Sequence, residues 1–532
     1  MSIVSMSVPE PRERMRGDRF LIVSDRLPIV LGRGEEGWRA APAAGALISA
    51  LSPVLRERRG VWIGWPGVTA EKMAGLRTVL TGAIQEGGYP LRPVLLSENE
   101  ERNCHAGFSG EVIWPLFHDC PLECNFDPSY WRAYQRVNRK FARAAAKVLS
   151  VSGAAAVSGS GGPGTGFLWV HNHLLMNVGA ELRRLGLRSR TAFFLHLPFP
   201  GPDMFVKLPW RERILQGLLA YDQVGLQTPR DLVNFLDCVR LLTPGAELSP
   251  CADGLWSVRG RTEAGDFELR AGAFPIGVDA RDFAARAARP DVQERAAALS
   301  ASLRDRKMIL GVDRLDRSKG IPEKLRAFAE ALERQPELHD RVVLVQVVVP
   351  SREDLPRHTA LRAEIERLVG EINGRFGRLG WTPIHYAHRA LEPDELLAHY
   401  RAADVMLITP LKEGMNLLAK EYCAADLDER GALVLSEFAG AASQLADGAL
   451  LVNPHDARAT ARTLVRALRM TAAERADRMR RLRERVRRED VSWWAGAFLD
   501  AAYADAGEIA DIAGSVGDSP RRETSAGLRS FS

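Results

Sequence analysis

Short apolar runs separated by longer stretches of helical periodicity recur along almost the whole chain, and this alternation restricts the fold more than any other feature. The runs form two series. The first comprises residues 20–24, 61–65, 112–114, 167–171, 192–197 and 223–226; the second comprises 308–312, 342–349, 384–387, 405–409, 433–436 and 450–452. Helical patterns such as 322–334 and 359–372 fill the gaps. Strand, crossover helix and strand make a βαβ unit, so an α/β chain with parallel sheets covered on both faces is expected. With 532 residues the chain is too long for one core. The two series part near residues 273–279, where Pro275 and Gly277 interrupt an apolar run. The expected architecture is therefore two Rossmann-like domains facing a central cleft. A disordered tail (1–17) precedes a first domain (18–273) and a second (274–490). A C-terminal helix (491–505), carrying Trp493 and Trp494, packs back at the junction, and a disordered tail (506–532) follows. Ligands of open α/β sheets bind beyond the carboxyl ends of the strands, which here means the cleft.

Within that frame the stretch 409–422, Thr-Pro-Leu-Lys-Glu-Gly-Met-Asn-Leu-Leu-Ala-Lys-Glu-Tyr, carries the most chemical information. It follows an apolar strand, turns at Gly414 and enters a helix. The first N–H groups of a helix lack internal partners and suit an anion. Glu413 and Glu421 cannot bind phosphate but can accept hydrogen bonds from hydroxyls. The combination suits a ligand with both phosphate and sugar, such as a nucleotide sugar.

Three further motifs sit at strand ends. Residues 313–320, Asp-Arg-Leu-Asp-Arg-Ser-Lys-Gly, place Arg314 and Lys319 where they can neutralise a diphosphate. A basic pair on a loop is by itself ordinary surface decoration; beside the 409–422 loop, a diphosphate site is the better reading. Residues 193–200, Phe-Phe-Leu-His-Leu-Pro-Phe-Pro, end an aromatic strand on His196, which reads either as a core histidine or as a contact to the donor sugar. Residues 24–28, Ser-Asp-Arg-Leu-Pro, end the first strand, and the small-residue loop 41–47, containing Gly45 and Ala46, precedes a helix and allows close backbone approach to a phosphate.

Composition excludes several classes. Hydrophobic content of 46% and charged content of 26% are those of a globular protein, and a net charge of +5 does not suggest nucleic acid at this length. The densest basic run, 478–488, reads as a solvated helix face. No apolar run is long enough to span a membrane, and residues 1–17 lack the apolar segment of a secretory signal. The six cysteines are scattered without zinc-ribbon spacing, and the neighbours His118, Cys120 and Cys124 read as ordinary side chains. A reducing, cytoplasmic location fits.

In order and spacing, these motifs resemble the trehalose-6-phosphate synthase family of retaining glycosyltransferases. Further matches are Trp62-Ile63-Gly64-Trp65-Pro66-Gly67, Phe108-Ser109 with Trp114-Pro115-Leu116-Phe117-His118, Leu208-Pro209-Trp210-Arg211, and Leu435-Ser436-Glu437-Phe438-Ala439-Gly440. The resemblance runs from about residue 19 to about residue 505. It implies the GT-B fold and transfer of glucose from UDP-glucose to glucose 6-phosphate, the route of trehalose biosynthesis. It also implies roles. Arg314 and Lys319 would hold the diphosphate, helped by Gly45, Ala46 and the amides of Gly414, Met415, Asn416 and Leu417. Glu413 would bind glucose hydroxyls, Glu421 the ribose, and His196 the transferred glucose. His196, Arg314, Lys319 and Glu413 form the catalytic set. Arg26 and Arg352 would bind the acceptor phosphate, with Trp65, His105, Trp114 and Asn172 on the same acceptor side. No metal and no cofactor are implied. The partners are UDP-glucose and a sugar-phosphate acceptor, without nucleic acid or membrane; a homo-oligomer stays open.

The chain departs from the family pattern at four places. Gly45-Ala46 stands for two glycines, and His171-Asn172-His173-Leu174 for His-Asp-Tyr-His. His105 stands for a tyrosine, and Glu413 for an aspartate. Changes at residues 105, 172 and 174 fall on the acceptor side. They leave two other readings beside the trehalose one: a sibling enzyme with another phosphorylated acceptor such as glycerol 3-phosphate, and a non-catalytic nucleotide-sugar-binding homologue.

Overall fold

The computed structural model describes residues 19–34, 37–43, 45–72, 79, 88–150, 166–351 and 356–504. The expected tails, 1–17 and 506–532, lie outside the described residues.

Two large sheets organise the chain. The first has nine strands: β1 (Arg19–Arg26), β4 (Val61–Trp65), β5 (Leu91–Pro93), β6 (Gly166–His171), β7 (Arg190–Phe194), β8 (Gln223–Leu226), β9 (Glu247–Pro250), β10 (Trp256–Thr262) and β11 (Gly265–Ala273), in the order β5-β4-β1-β6-β7-β8-β11-β10-β9. β2 (Ile29–Gly34) and β3 (Gly37–Pro42) form a separate hairpin. The second sheet has six parallel strands: β12 (Lys307–Arg314), β13 (Val342–Val349), β14 (Ile384–Ala387), β15 (Val405–Ile408), β16 (Ala432–Ser436) and β17 (Leu450–Val452), in the order β14-β13-β12-β15-β16-β17.

Renumbered within its own half, the second sheet runs 3-2-1-4-5-6, the doubly wound order. The parallel part of the first sheet runs the same way from β5 to β8, with β1 and β6 at its centre. In each sheet the chain winds outward first to one side and then to the other, so a crevice opens between the two central strands. Those switch points are β1/β6 and β12/β15.

Burial explains why the strands read as unbroken apolar runs. Phe20, Ile22, Phe167 and Trp169 face one side of the first sheet; Leu21, Val23, Leu168 and Val170 face the other. Successive side chains alternate across a strand, and here both faces are covered by helices. After β11 the chain crosses to the second half through Phe274, Ile276 and Val278, all buried. The helix Val491–Tyr503 returns to the first sheet, where Trp494 lies 5.3 Å from Trp169 and 5.0 Å from Phe194, ring centre to ring centre.

The structure corrects one expected strand. Residues 112–114 lie in a helical segment, the π-helix Glu101–Ile113 continuing into the α-helix Trp114–Phe117. A short apolar run is buried equally well in a helix or a strand, and three residues carry no period to decide between them. The antiparallel pairs β2/β3 and β10/β11 were not anticipated. The basic run 478–488 is mostly the outer face of the helix Ala472–Arg488, but Arg483 is buried and donates from Nη1 to the Leu427 carbonyl at 3.1 Å.

Candidate active site

A cavity of about 920 Å³ lies between the carboxyl ends of the two sheets. The second sheet supplies one wall from its switch point. β12 ends on Arg314, and the turn Arg317–Lys319 follows, held by Asp316, whose Oδ1 accepts from the Ser318 amide at 3.0 Å and the Ser318 hydroxyl at 2.9 Å. Gly320 leaves this turn at φ 62°, where an added Cβ would lie 2.2 Å from the Thr409 carbonyl oxygen. The Leu411 amide donates to the Ser318 carbonyl at 2.7 Å. The loops after β12 and β15 are thus fastened to each other, which brings Lys319 against Glu413.

Lys319 Nζ donates to Glu413 Oε1, and Asn416 Nδ2 donates to Glu413 Oε2 at 2.8 Å. Burial alone would raise the Glu413 carboxyl, but Lys319, Asn416 and Arg314 outweigh it and hold its pKa below the usual glutamate range. Asn416 caps the helix Leu417–Ala425, its side chain accepting from the Ala419 amide at 3.1 Å. It does so at φ 83°, a backbone region that non-glycine residues occupy at a cost and that recurs at functional sites. Gly414, Met415, Asn416, Leu417 and the Leu418 beside them all line the cavity.

The opposite wall comes from the first sheet. Arg26, at the end of β1, lies over the Trp65 ring at 4.5 Å, and the His105 ring lies tilted against Trp65 at 4.7 Å. Arg26 lines the cavity, whereas Trp65 and His105 back it from behind. Gly45, at the N-terminus of the helix Ala46–Glu57, also lines it. His196 faces the cavity with Nε2 3.3 Å from His171 Nδ1. Burial pushes His196 down to about 4, so the imidazole is neutral near pH 7 and acts as a hydrogen-bonding group rather than a cation.

The two walls touch. Arg314 sits 5.2 Å over the ring of Trp114. An added Cβ at Gly414 would lie 2.5 Å from the His196 carbonyl oxygen, so only glycine lets this loop come so close to the first sheet. Lys412 and Asp119 pair at 2.6 Å at one rim.

A model of glycosyltransferase family 20 matches residues 18–504. This chain belongs to that family. Among relatives, the trehalose-6-phosphate synthase of Mycolicibacterium smegmatis is 41% identical over 513 residues, 96% of this chain and 97% of the relative. That of Mycobacterium tuberculosis strain H37Rv is 43% identical over 488 residues, 91% and 94% of the two chains. An E. coli trehalose-6-phosphate structure, bound with UDP-2-fluoro glucose, is 32% identical with a TM-score of 0.78, covering 91% of this chain and 99% of that one. The α,α-trehalose-phosphate synthase (UDP-forming) of Burkholderia xenovorans, in complex with glucose-6-phosphate, is 33% identical with a TM-score of 0.78, covering 91% and 100%. The fold is therefore the GT-B architecture of these family 20 enzymes, and the chain is a glycosyltransferase.

Of the site residues named from sequence, the family 20 cavity gathers Arg26, Gly45, Trp114, His196, Arg314, Lys319, Glu413, Gly414, Met415, Asn416 and Leu417. Glu421 sits one turn deeper in its helix, behind this lining, where the Tyr400 hydroxyl donates to it at 2.9 Å and burial raises its pKa. Asn172 lies just past β6, outside the lining. Arg352 and the side chain of Ala46 fall outside the described residues. Sequence reasoning missed Asp25, although it quoted the motif containing it, and missed the apolar patch of Ala390, Leu391 and Leu396. That patch follows β14 and opens the helix Pro393–Ala402, so its place after a strand was the signal that could have found it.

Proposed function

We propose that this chain transfers glucose from UDP-glucose to the anomeric hydroxyl of glucose 6-phosphate with retention, giving α,α-trehalose 6-phosphate and UDP. The observation that carries the reading is the meeting of Arg314, Lys319, Glu413 and the start of the helix Leu417–Ala425 at one switch point, facing Arg26 at the end of β1 and His196 just past β7. The relatives named for this reaction match along more than nine-tenths of the chain.

In this reading Arg314 and Lys319 hold the diphosphate, the Gly414–Leu417 segment adds amide donors, and Glu413 takes glucose hydroxyls. Ala390, Leu391 and Leu396 offer the uracil a flat apolar seat. The bond from the anomeric carbon to the diphosphate breaks, charge builds on the leaving oxygen, and the two cations stabilise it. The acceptor hydroxyl enters on the same face, and its proton passes to a phosphate oxygen of UDP. No enzymic nucleophile is needed; the protein contributes position and charge. His196 is neutral and serves as a hydrogen-bond partner of the transferred sugar. The first domain (18–273) is the acceptor half and the second (274–490) the donor half. All six cysteines are unpaired, in keeping with a reducing cytoplasm.

The product decides the matter. Purified enzyme with UDP-glucose and glucose 6-phosphate should give one disaccharide phosphate whose NMR spectrum carries two α anomeric protons. A β anomeric signal, or no disaccharide, overturns the reading.

A further inference from the structure

The first sheet's switch point holds a pair of side chains that the reading above leaves without a task. β1 and β6 run parallel, with Val23 opposite Val170. Two residues beyond that pair stand Asp25, near the end of β1, and Asn172, just past the end of β6, both at the crevice where a doubly wound sheet binds its ligand. Asn172 adopts φ 78° there, as Asn416 adopts φ 83° at the other switch point.

The hydrogen bonds leave Asn172 a single orientation. Its Oδ1 accepts from the His173 amide at 2.9 Å and sits 2.7 Å from His173 Nδ1. The backbone donor fixes that atom as the oxygen, so His173 carries its proton on Nδ1, and Nε2 accepts from the Ser109 hydroxyl at 2.6 Å. The amide nitrogen of Asn172 is then the group turned toward Asp25, where its hydrogen bonding is among the influences that favour the ionised Asp25 carboxylate. A chain Ser109–His173–Asn172 thus ends on the Asp25 carboxylate and orients it. Asp25 lines the cavity beside Arg26. Among the described residues it is the acid that the first sheet's half contributes to that lining. The two acids from the other half are engaged, Asp313 by Lys324 and Glu413 by Lys319.

We propose that Asp25 is the acceptor-binding carboxylate: it accepts hydrogen bonds from ring hydroxyls of the sugar phosphate whose phosphate lies on Arg26, and Asn172 is its positioning residue. A cation next to a carboxylate at one crevice matches the two chemistries of a sugar phosphate. The donor's diphosphate cations are across the cleft, so the ligand seated at β1/β6 is the second substrate. Burial holds the Asp25 carboxyl above the usual aspartate range, as expected of an acid inside a cavity rather than on a surface. This inference rests on the glucosyl-transfer reading for the identity of the acceptor but not for the existence of the contact.

The test compares the wild type with D25N, D25E and the exchange variant D25N/N172D, which moves the carboxylate one strand across. D25N should raise the acceptor KM at least about tenfold, the loss expected when a charged hydrogen bond to a hydroxyl disappears, and leave the UDP-glucose KM within about twofold. D25N/N172D should recover most of that loss. Deoxyglucose 6-phosphates supply a readout that a merely structural role would not move. One deoxy position should weaken the wild type and cost D25N nothing further. An unchanged acceptor KM in D25N, equal rises for both substrates, or identical deoxy penalties in wild type and D25N overturn the proposal. If D25N does not fold, D25E carries the deoxy comparison. If the wild type proves to use another phosphorylated polyol, the trehalose reading fails, and the same comparison is made with that acceptor and its deoxy forms.

Discussion

Lys319 and Glu413 reach each other from loops that follow different strands, β12 and β15, and pair inside the cavity where a diphosphate would lie. The pairing keeps a buried cation and a buried acid satisfied while no ligand competes for them. In the proposed reading a bound diphosphate would take the ammonium and leave Glu413 to Asn416 and to sugar hydroxyls. Lys319→Ala is expected to lower kcat for UDP release at least about tenfold, because one charge-assisted contact to a leaving group is worth more than about 1.4 kcal/mol. An unchanged kcat in a steady-state assay removes Lys319 from the site.

The close approach of Gly414 to the His196 carbonyl gives a second expectation. Gly414→Ala places a methyl 2.5 Å from that oxygen unless the halves separate. Overpacking of this kind costs about 1–3 kcal/mol. The expected result is a raised KM for UDP-glucose and a lowered melting temperature. A variant that matches the wild type in both shows that the loops have room the structure does not give them.

Arg26 lies over the Trp65 ring, and its charge also favours the ionised form of the neighbouring Asp25. Trp65→Leu should remove about 1–2 kcal/mol of support. A roughly tenfold rise in the acceptor KM follows from that figure, with the UDP-glucose KM unchanged. A rise in the donor KM instead would place the stack on the wrong substrate.

The chain crossing carries a titrating group. Lys420, next to Glu421, donates to the Ile276 carbonyl and to Gln444 Oε1, both at 2.6 Å. Burial pushes it down to about 7, with Glu489 partly opposing. Between that value and the usual lysine range the unfolded chain binds the extra proton, so stability rises with pH through this window. The wild type should therefore gain more melting temperature between pH 7 and pH 9 than Lys420→Met does. Equal gains in the two proteins would show that Lys420 keeps its proton when folded.

Much of this was legible in the sequence. The central strands of the second sheet announced themselves because both faces are buried, which writes a continuous apolar run such as Val342–Val349 or Val405–Ile408. The loops after β12 and β15 were legible for a related reason: cations, acids and glycines cluster directly after buried strands, where the apolar run stops abruptly. What stayed hidden depended on pairing across the chain. Residues 112–114 were too few to show a helical period. The hairpin β10/β11 carries exposed arginines and acids on one face, so its alternation broke the apolar signal. Asp25 was in plain view, yet its relation to Asn172 exists only once β1 and β6 lie side by side, 147 residues apart in sequence by their numbers. Trp65 and His105 were read as acceptor-side residues, but that Trp65 lies against Arg26 with His105 beside it was not legible, since such ring contacts have no sequence period.

The most direct measurement is UDP release by the purified enzyme from UDP-glucose with a panel of phosphorylated acceptors at equal concentration. The expected result is release with glucose 6-phosphate and little or none with glycerol 3-phosphate. Release with glycerol 3-phosphate but not glucose 6-phosphate, or binding of UDP-glucose without release for any acceptor, contradicts the assignment.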